Sequence, residues 1–484
     1  MRKWALILSS VIFLCSCITF SACKNQVQAD TLYEIEVCLT DNVLSGKQRV
    51  TYVNHTENSI NQLKFNLFGN AFRKDAKFSP VSAQHVSQSY PNGLSYGNMD
   101  INGVNGHQGA LNYSVQGEDK NVLCVDLEQE LFPEEKTFVE IEFTLNLANI
   151  IARTGVNAHT INLGNFYPIL CARDENGFYE CVYYSKGDPF YSDCADYVVK
   201  LTADKKYTVA SSGKLTHSEQ NGKNVTNTYT INDARSFALV LSDKFKILTD
   251  NSTGVQIDYY YYDDQTPNNS MAYAVKSIKY FEKTFGEYPY PTYSVVQTQF
   301  VQGGMEFPAL VMISDGLEQN SYGEVIVHET AHQWWQTVVG NNEIEYGFLD
   351  EGLAEYSVVL FYENYPEYNL SKKVLINSAK DTYKVFCSVS DKLFGKVNTV
   401  MLRSLKDFSS EYEYVNMAYI KPCIMYDYLR QTIGENRFFN GLKKYYEEYK
   451  FLNAMPDDLV GVFEKLGADT NGFFDSFFYG KVII

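Results

Sequence analysis

Histidine is scarce in this chain, 7 residues in 484, and tryptophan is scarcer at 3. No long block of like charge, no internal repeat, no linker tract and no second long apolar run occurs. Repeat architectures and multispan membrane folds are thereby set aside. Basic residues are the minority, 41 against 58 acidic, for a formal charge of −17. A surface of that sign repels phosphate backbones, which excludes nucleic acid as a partner. No Cys-x-x-Cys pair is present, so a thiolate zinc site is excluded too. What the chain does have is apolar substance, 45% hydrophobic and 15% aromatic residues. That suffices for packed cores, and at roughly 100–200 residues each, two to four domains are expected.

The N-terminus reads as a targeting segment. Arg2 and Lys3 precede an apolar run from Trp4 to Phe20, followed by Ser21-Ala22-Cys23. A basic start, a short apolar stretch and small residues before a cut are the marks of a signal peptide. Small residues directly before a cysteine resemble a bacterial lipobox, which makes residues 1–22 the peptide and Cys23 the lipid anchor. Residues 23–30 then form the anchor and linker of an exported, membrane-attached protein. Seven further cysteines remain, an odd number that cannot all pair internally. Cys171, Cys181 and Cys194 are close enough in sequence for one bridge; buried free thiols are the equal alternative.

From 31 to 262 the pattern has period two. Val139, Ile141, Phe143, Leu145 and Leu147 alternate with polar residues, as do Tyr33, Ile35, Val37 and Leu39, and Val255, Ile257, Tyr259 and Tyr261. Such alternation predicts half-buried strands and an all-β, sandwich-like first domain, with 79–109 as loop. After Asp263 the period changes to that of a helix, with Ala274, Ile278, Phe281 and Phe285 on one face. A strand pair, 294–300 and 310–313, and then mostly helices complete a second domain, 263–484.

The second domain contains only two histidines, and they stand four apart in His328-Glu329-Thr330-Ala331-His332. On a helix that spacing puts both imidazoles on one face, in reach of one zinc. Glu329 falls beside them, placed to take a proton from a water at the metal. Gly340 is the expected end of this helix. Glu351 follows His332 after a gap of eighteen residues and supplies a third, oxygen ligand, leaving one position open as in catalytic sites. Glu355, one turn further on, could accept the free N–H of a ligating histidine, or stand solvated.

Together these residues resemble the gluzincin zinc metallopeptidases, specifically the aminopeptidase N family in a short bacterial form without the C-terminal helical domain. Gly303-Gly304-Met305-Glu306 resembles its exopeptidase motif, and Tyr419-Ile420-Lys421 its Tyr-x-Lys. The resemblance implies a β domain followed by a thermolysin-like, mainly helical domain with one zinc per chain. It implies His328, His332 and Glu351 as ligands, Glu329 as general base and then acid, and Tyr419 as donor to the oxyanion. Glu306 is implied to pair with the α-ammonium of a peptide substrate, with Gly303, Gly304 and Met305 beside the substrate strand. Phe307 departs from the family's Asn, and Pro422 from its Gly. The acidic or amide residue that the β domain contributes to the amine has no visible counterpart. Aminopeptidase action is therefore the expectation, with two alternatives. One is an oligopeptidase or endopeptidase that needs no free amine; the other is a silent peptide-binding lipoprotein. No protein partner is evident.

Overall fold

The computed structural model describes residues 31–174, 176–467, 470 and 472–481. The segment read as a signal peptide, 1–22, and Cys23 lie outside them. In the N-terminal half, strands Leu32–Thr40, Val43–Val53, Lys136–Asn146 and Ala195–Asp204 form the middle of an eight-stranded sheet. Val139, Ile141, Phe143 and Leu145 are buried on one face while Glu140 and Glu142 are not, as the alternation requires. Two four-stranded sheets pack with it, and Tyr33 stacks on Tyr197 at 4.8 Å between ring centroids in their shared core. The stretch expected as loop holds a strand, Asn98–Gly106. A register shift between Ile101 and Gly103 breaks its alternation, which is why the pattern did not reveal it.

The strands Lys246–Asp250 and Gln256–Tyr261, the second of which carries the alternating Ile257, Tyr259 and Tyr261, belong to a different sheet. Gln256–Tyr261 pairs in parallel with Thr292–Thr298, which pairs in parallel with Leu310–Ser314. Gly304–Phe307 closes the five-stranded order as an antiparallel edge. A division drawn at 262 therefore cuts this sheet, whose first strand begins at Lys246. Period two reports a half-buried face and carries no information about which sheet owns the strand.

Helix Pro267–Thr284 crosses between the parallel strands and buries Ala274, Ile278 and Phe281. The remaining helices build the other side of the second domain, and no helix of the described residues is long and apolar enough to cross a membrane.

Arg235, buried in the N-terminal half, joins the two halves. Its guanidinium donates to the carbonyls of Gln336, Val338 and Leu452 and to Asn453 Oδ1 across the boundary. Gly340 sits against it: a Cβ there would lie 2.0 Å from Arg235 Cζ. That close approach, and not a helix end, explains Gly340. The histidine-bearing helix is Tyr322–Ala331, capped at His332, and the turns after it lead to the Arg235 contact.

Candidate active site

His328 and His332 project from one face of helix Tyr322–Ala331 and its cap toward helix Phe348–Asn364, which carries Glu351. The two Nε2 atoms are 3.1 Å apart, and Glu351 Oε2 lies 3.3 Å from His328 Nε2 and 3.1 Å from His332 Nε2. A tetrahedron of ligands about 2.0–2.1 Å from a zinc ion has edges of about 3.3 Å. The three donors already stand on such edges, so His328, His332 and Glu351 fit one zinc and leave its fourth position free.

The other ring nitrogens are committed elsewhere. His328 Nδ1 is 3.2 Å from Glu355 Oε2, and His332 Nδ1 is 2.9 Å from the Trp335 carbonyl. Donation from Nδ1 fixes the tautomer that presents Nε2 to a metal, so Glu355 sits where that task needs it. Burial opposes charge on Glu351, but His332 and His328 beside it bring its carboxyl down to about 2.

Glu329 is buried next to the ligand triad, and burial pushes its carboxyl up to about 7 despite both histidines. Its Oε2 meets no hydrogen-bond partner among the described residues. Gly304 makes room for it: a Cβ at Gly304 would lie 2.3 Å from Glu329 Oε1.

Alternation along the edge strand Gly304–Phe307 sorts the exopeptidase-like motif. Gly304 and Glu306 line the cavity over the triad together with Gly303, whereas Met305 and Phe307 pack on the opposite face. Met305 is thus a core residue and does not touch the cavity. Phe307 fills a hole in the N-terminal half, where a Cβ on Gly164 would come within 2.4 Å of its ring. The residue that departs from the family pattern is a plug between the two halves.

Glu306 is buried, its Oε1 without a hydrogen-bond donor among the described residues, and burial raises its carboxyl well above the usual range. One of its oxygens lies within 4.8 Å of a ring nitrogen of His332.

Tyr419 is half-buried on the far side. Its hydroxyl donates to Glu351 Oε1, and its ring lies parallel to that of His328 at 5.8 Å. It occupies a wide turn, Asn416–Ile420, in which the Lys421 N–H bonds to the Asn416 carbonyl five residues back. Such expanded turns recur at functional sites. Pro422 consequently stands inside a continuous helical path, at the start of Lys421–Ile433.

The cavity measures about 380 Å³ and is walled by both halves. From the N-terminal half come Arg153 and Asp188, a buried ion pair at 2.7 Å, which the sequence reading missed. Asp188 stands in Gly187-Asp188-Pro189, indistinguishable in sequence from an ordinary turn. All seven described cysteines are free.

Residues 269–477 match the family model described as the peptidase family M1 domain. That match covers less than half of the chain and falls within its second domain. The chain is 27% identical to Aminopeptidase 2, mitochondrial, of Saccharomyces cerevisiae, across 38% of this chain and 20% of that protein. It is 25% identical to Aminopeptidase N of Lactococcus lactis subsp. lactis, across 42% and 25% of the two chains. The matched region therefore spans about a fifth to a quarter of those relatives. The M1 zinc metallopeptidase of Deinococcus radiodurans shares the whole fold, with a TM-score of 0.67 and 17% identity over 95% of this chain and 96% of that one. A mutant form of that enzyme has been solved bound to a Tyr-Ser-Ala substrate, again at a TM-score of 0.67 with 17% identity, over 94% of this chain and 95% of that one. The family match and the donor geometry together assign the site to zinc.

Proposed function

We propose that this chain is an aminopeptidase, removing residues from the free N-terminus of peptides. The observation that carries the reading is the Glu306 carboxyl group, buried beside the zinc triad with one oxygen lacking a donor among the described residues. A buried carboxylate in that state calls for a cation, and the α-ammonium of a peptide supplies it. Asp188 is the matching acid from the N-terminal half, with Arg153 holding it in place.

When bound, the zinc acts as a Lewis acid toward the scissile carbonyl and lowers the pKa of a water to about 7. The chain's own residues do the rest. The edge strand from Gly304 to Phe307 offers its backbone to an extended substrate, with Glu306 at the amine end. Glu329 takes a proton from the attacking water and passes it to the leaving amine. Tyr419 gives its phenol proton as a hydrogen bond to the developing oxyanion.

The test pairs one peptide in free-amine and N-acetylated forms, with products followed by mass spectrometry. Stepwise loss from the free form alone is expected; internal cuts in both forms would establish an endopeptidase instead. Glu306→Gln should depress kcat/KM for free-amine peptides at least roughly tenfold more than for any residual cleavage of acetylated ones. An equal loss on both would contradict amine anchoring.

We also place the protein outside the cytoplasm, lipid-anchored to the bacterial membrane through Cys23. The basic start, the apolar run and Ser21-Ala22-Cys23 support this. Cys23→Ala should shift the protein from the membrane fraction to the soluble one in a host that processes lipoproteins. Unchanged membrane attachment would exclude that anchor.

A further inference from the structure

Lys421 is a fully buried charge, 0% exposed, to which the reaction above gives no task. Its ammonium donates to two backbone carbonyls, Thr399 O and Phe477 O, each at 2.6 Å, and lies over the Phe477 ring at 5.9 Å. Phe477 is in the last turn of helix Phe473–Phe478, where carbonyls point outward and a cation is favoured. Removing the ammonium takes the donor from Thr399 O and leaves Phe477 O with the Gly480 N–H alone, at 3.3 Å.

The two segments it grips are bound to each other as well. Phe478 O accepts from Met401 N at 2.9 Å, and Thr399 Oγ1 donates to Gly480 O at 3.1 Å. The Phe478 ring meets Phe348 at 5.1 Å, and Phe348 opens the helix that carries Glu351. Lys421 itself closes the wide turn that holds Tyr419, through its N–H to Asn416 O. One clamp therefore underlies both the turn of Tyr419 and the helix of Glu351.

We propose that Lys421 is a positioning residue, whose ammonium ties the turn of Tyr419 to the segments 399–403 and 473–480 and thereby aims the phenol at the reacting carbonyl. This rests on the oxyanion role of Tyr419 given above. A displacement of 1 Å at a reacting group costs up to about 10²-fold. Lys421→Met should accordingly lower kcat roughly tenfold or more. KM should stay within about twofold, because Glu306 and Asp188 sit on other elements.

The deciding measurement is a double-mutant cycle with Tyr419→Phe, run on the full chain with zinc content recorded for every variant. If Lys421 acts through the phenol, adding Lys421→Met to Tyr419→Phe changes kcat by less than about twofold. The same fold-loss in both backgrounds, or wild-type kcat in Lys421→Met, overturns the proposal. Hydrogen exchange supplies a readout that needs no turnover: peptides covering 411–433 and 472–480 should exchange faster in Lys421→Met. Unchanged exchange there removes the tether whatever the kinetics show. A wild-type chain that cleaves no peptide counts against the role of Tyr419, a separate failure. Should Lys421→Met not fold, Thr399→Val loosens the same clamp from its other side and carries the cycle with a smaller effect.

Discussion

Glu329→Gln keeps one zinc per chain and loses hydrolysis, with kcat falling by roughly 10²–10⁴-fold. The substitution preserves volume and shape at a buried position where little else could be accommodated. Gly304 already yields its Cβ space to this side chain, at 2.3 Å from Oε1. None of the three converging donor atoms belongs to Glu329, so its removal leaves the ligand edges of 3.1–3.3 Å intact. What disappears is the acceptor for the water's proton and the donor to the leaving amine. The measurement is kcat beside metal content. A variant with wild-type turnover takes Glu329 out of the mechanism, and one that has lost zinc gives it a structural role. The same experiment weighs the silent-binder alternative, since a protein that only binds peptides has no use for a base at this position.

The metal site was legible in the sequence because its geometry is local. His328 and His332 are neighbours by helical periodicity alone, and Glu355 follows Glu351 by one turn of the same helix. Only the approach of the two helices had to be supplied by the fold. Asp188 and Arg153 show the opposite case. They reach Glu306 because the N-terminal half docks on the catalytic half, through contacts such as Arg235 with Gln336 and Phe307 with Gly164. Nothing within a few residues of Asp188 encodes that docking. The strand at 256–261 was legible in its alternation but its pairing with 292–298 was not, for a related reason: alternation is a property of one strand, while sheet membership is a property of its partners. Gly340 was read as a helix end when its small size answers to the Arg235 guanidinium beside it. Phe307, noted in the sequence only as a departure from the family's Asn, is a packing residue of the interface between the two halves.

Tyr419→Phe lowers kcat by roughly 10²–10³-fold, about 2.7–4 kcal/mol of transition-state stabilisation, with a smaller effect on KM. The ring is kept, so its parallel contact with His328 at 5.8 Å persists and only the hydroxyl is lost. That hydroxyl rests on Glu351 Oε1, the oxygen opposite the one facing the histidines, and so it stands at the rim of the metal site. Contact with a ligand gives the substitution a second possible effect, and zinc content separates the two: loss of metal would mean that Tyr419 serves Glu351 and not the substrate. Two neighbours compete for the role. Tyr426 is buried and absent from the cavity wall, which disqualifies it as a donor to substrate. Tyr414 does line the cavity, but it is wedged against Gly187 and Gly347, where a Cβ would lie 2.6 Å from its Cζ and hydroxyl respectively. Full activity in Tyr419→Phe with a large loss in Tyr414→Phe would transfer the assignment. The expanded turn argues for the original one, since it is Tyr419 that this break in helical spacing swings against the triad.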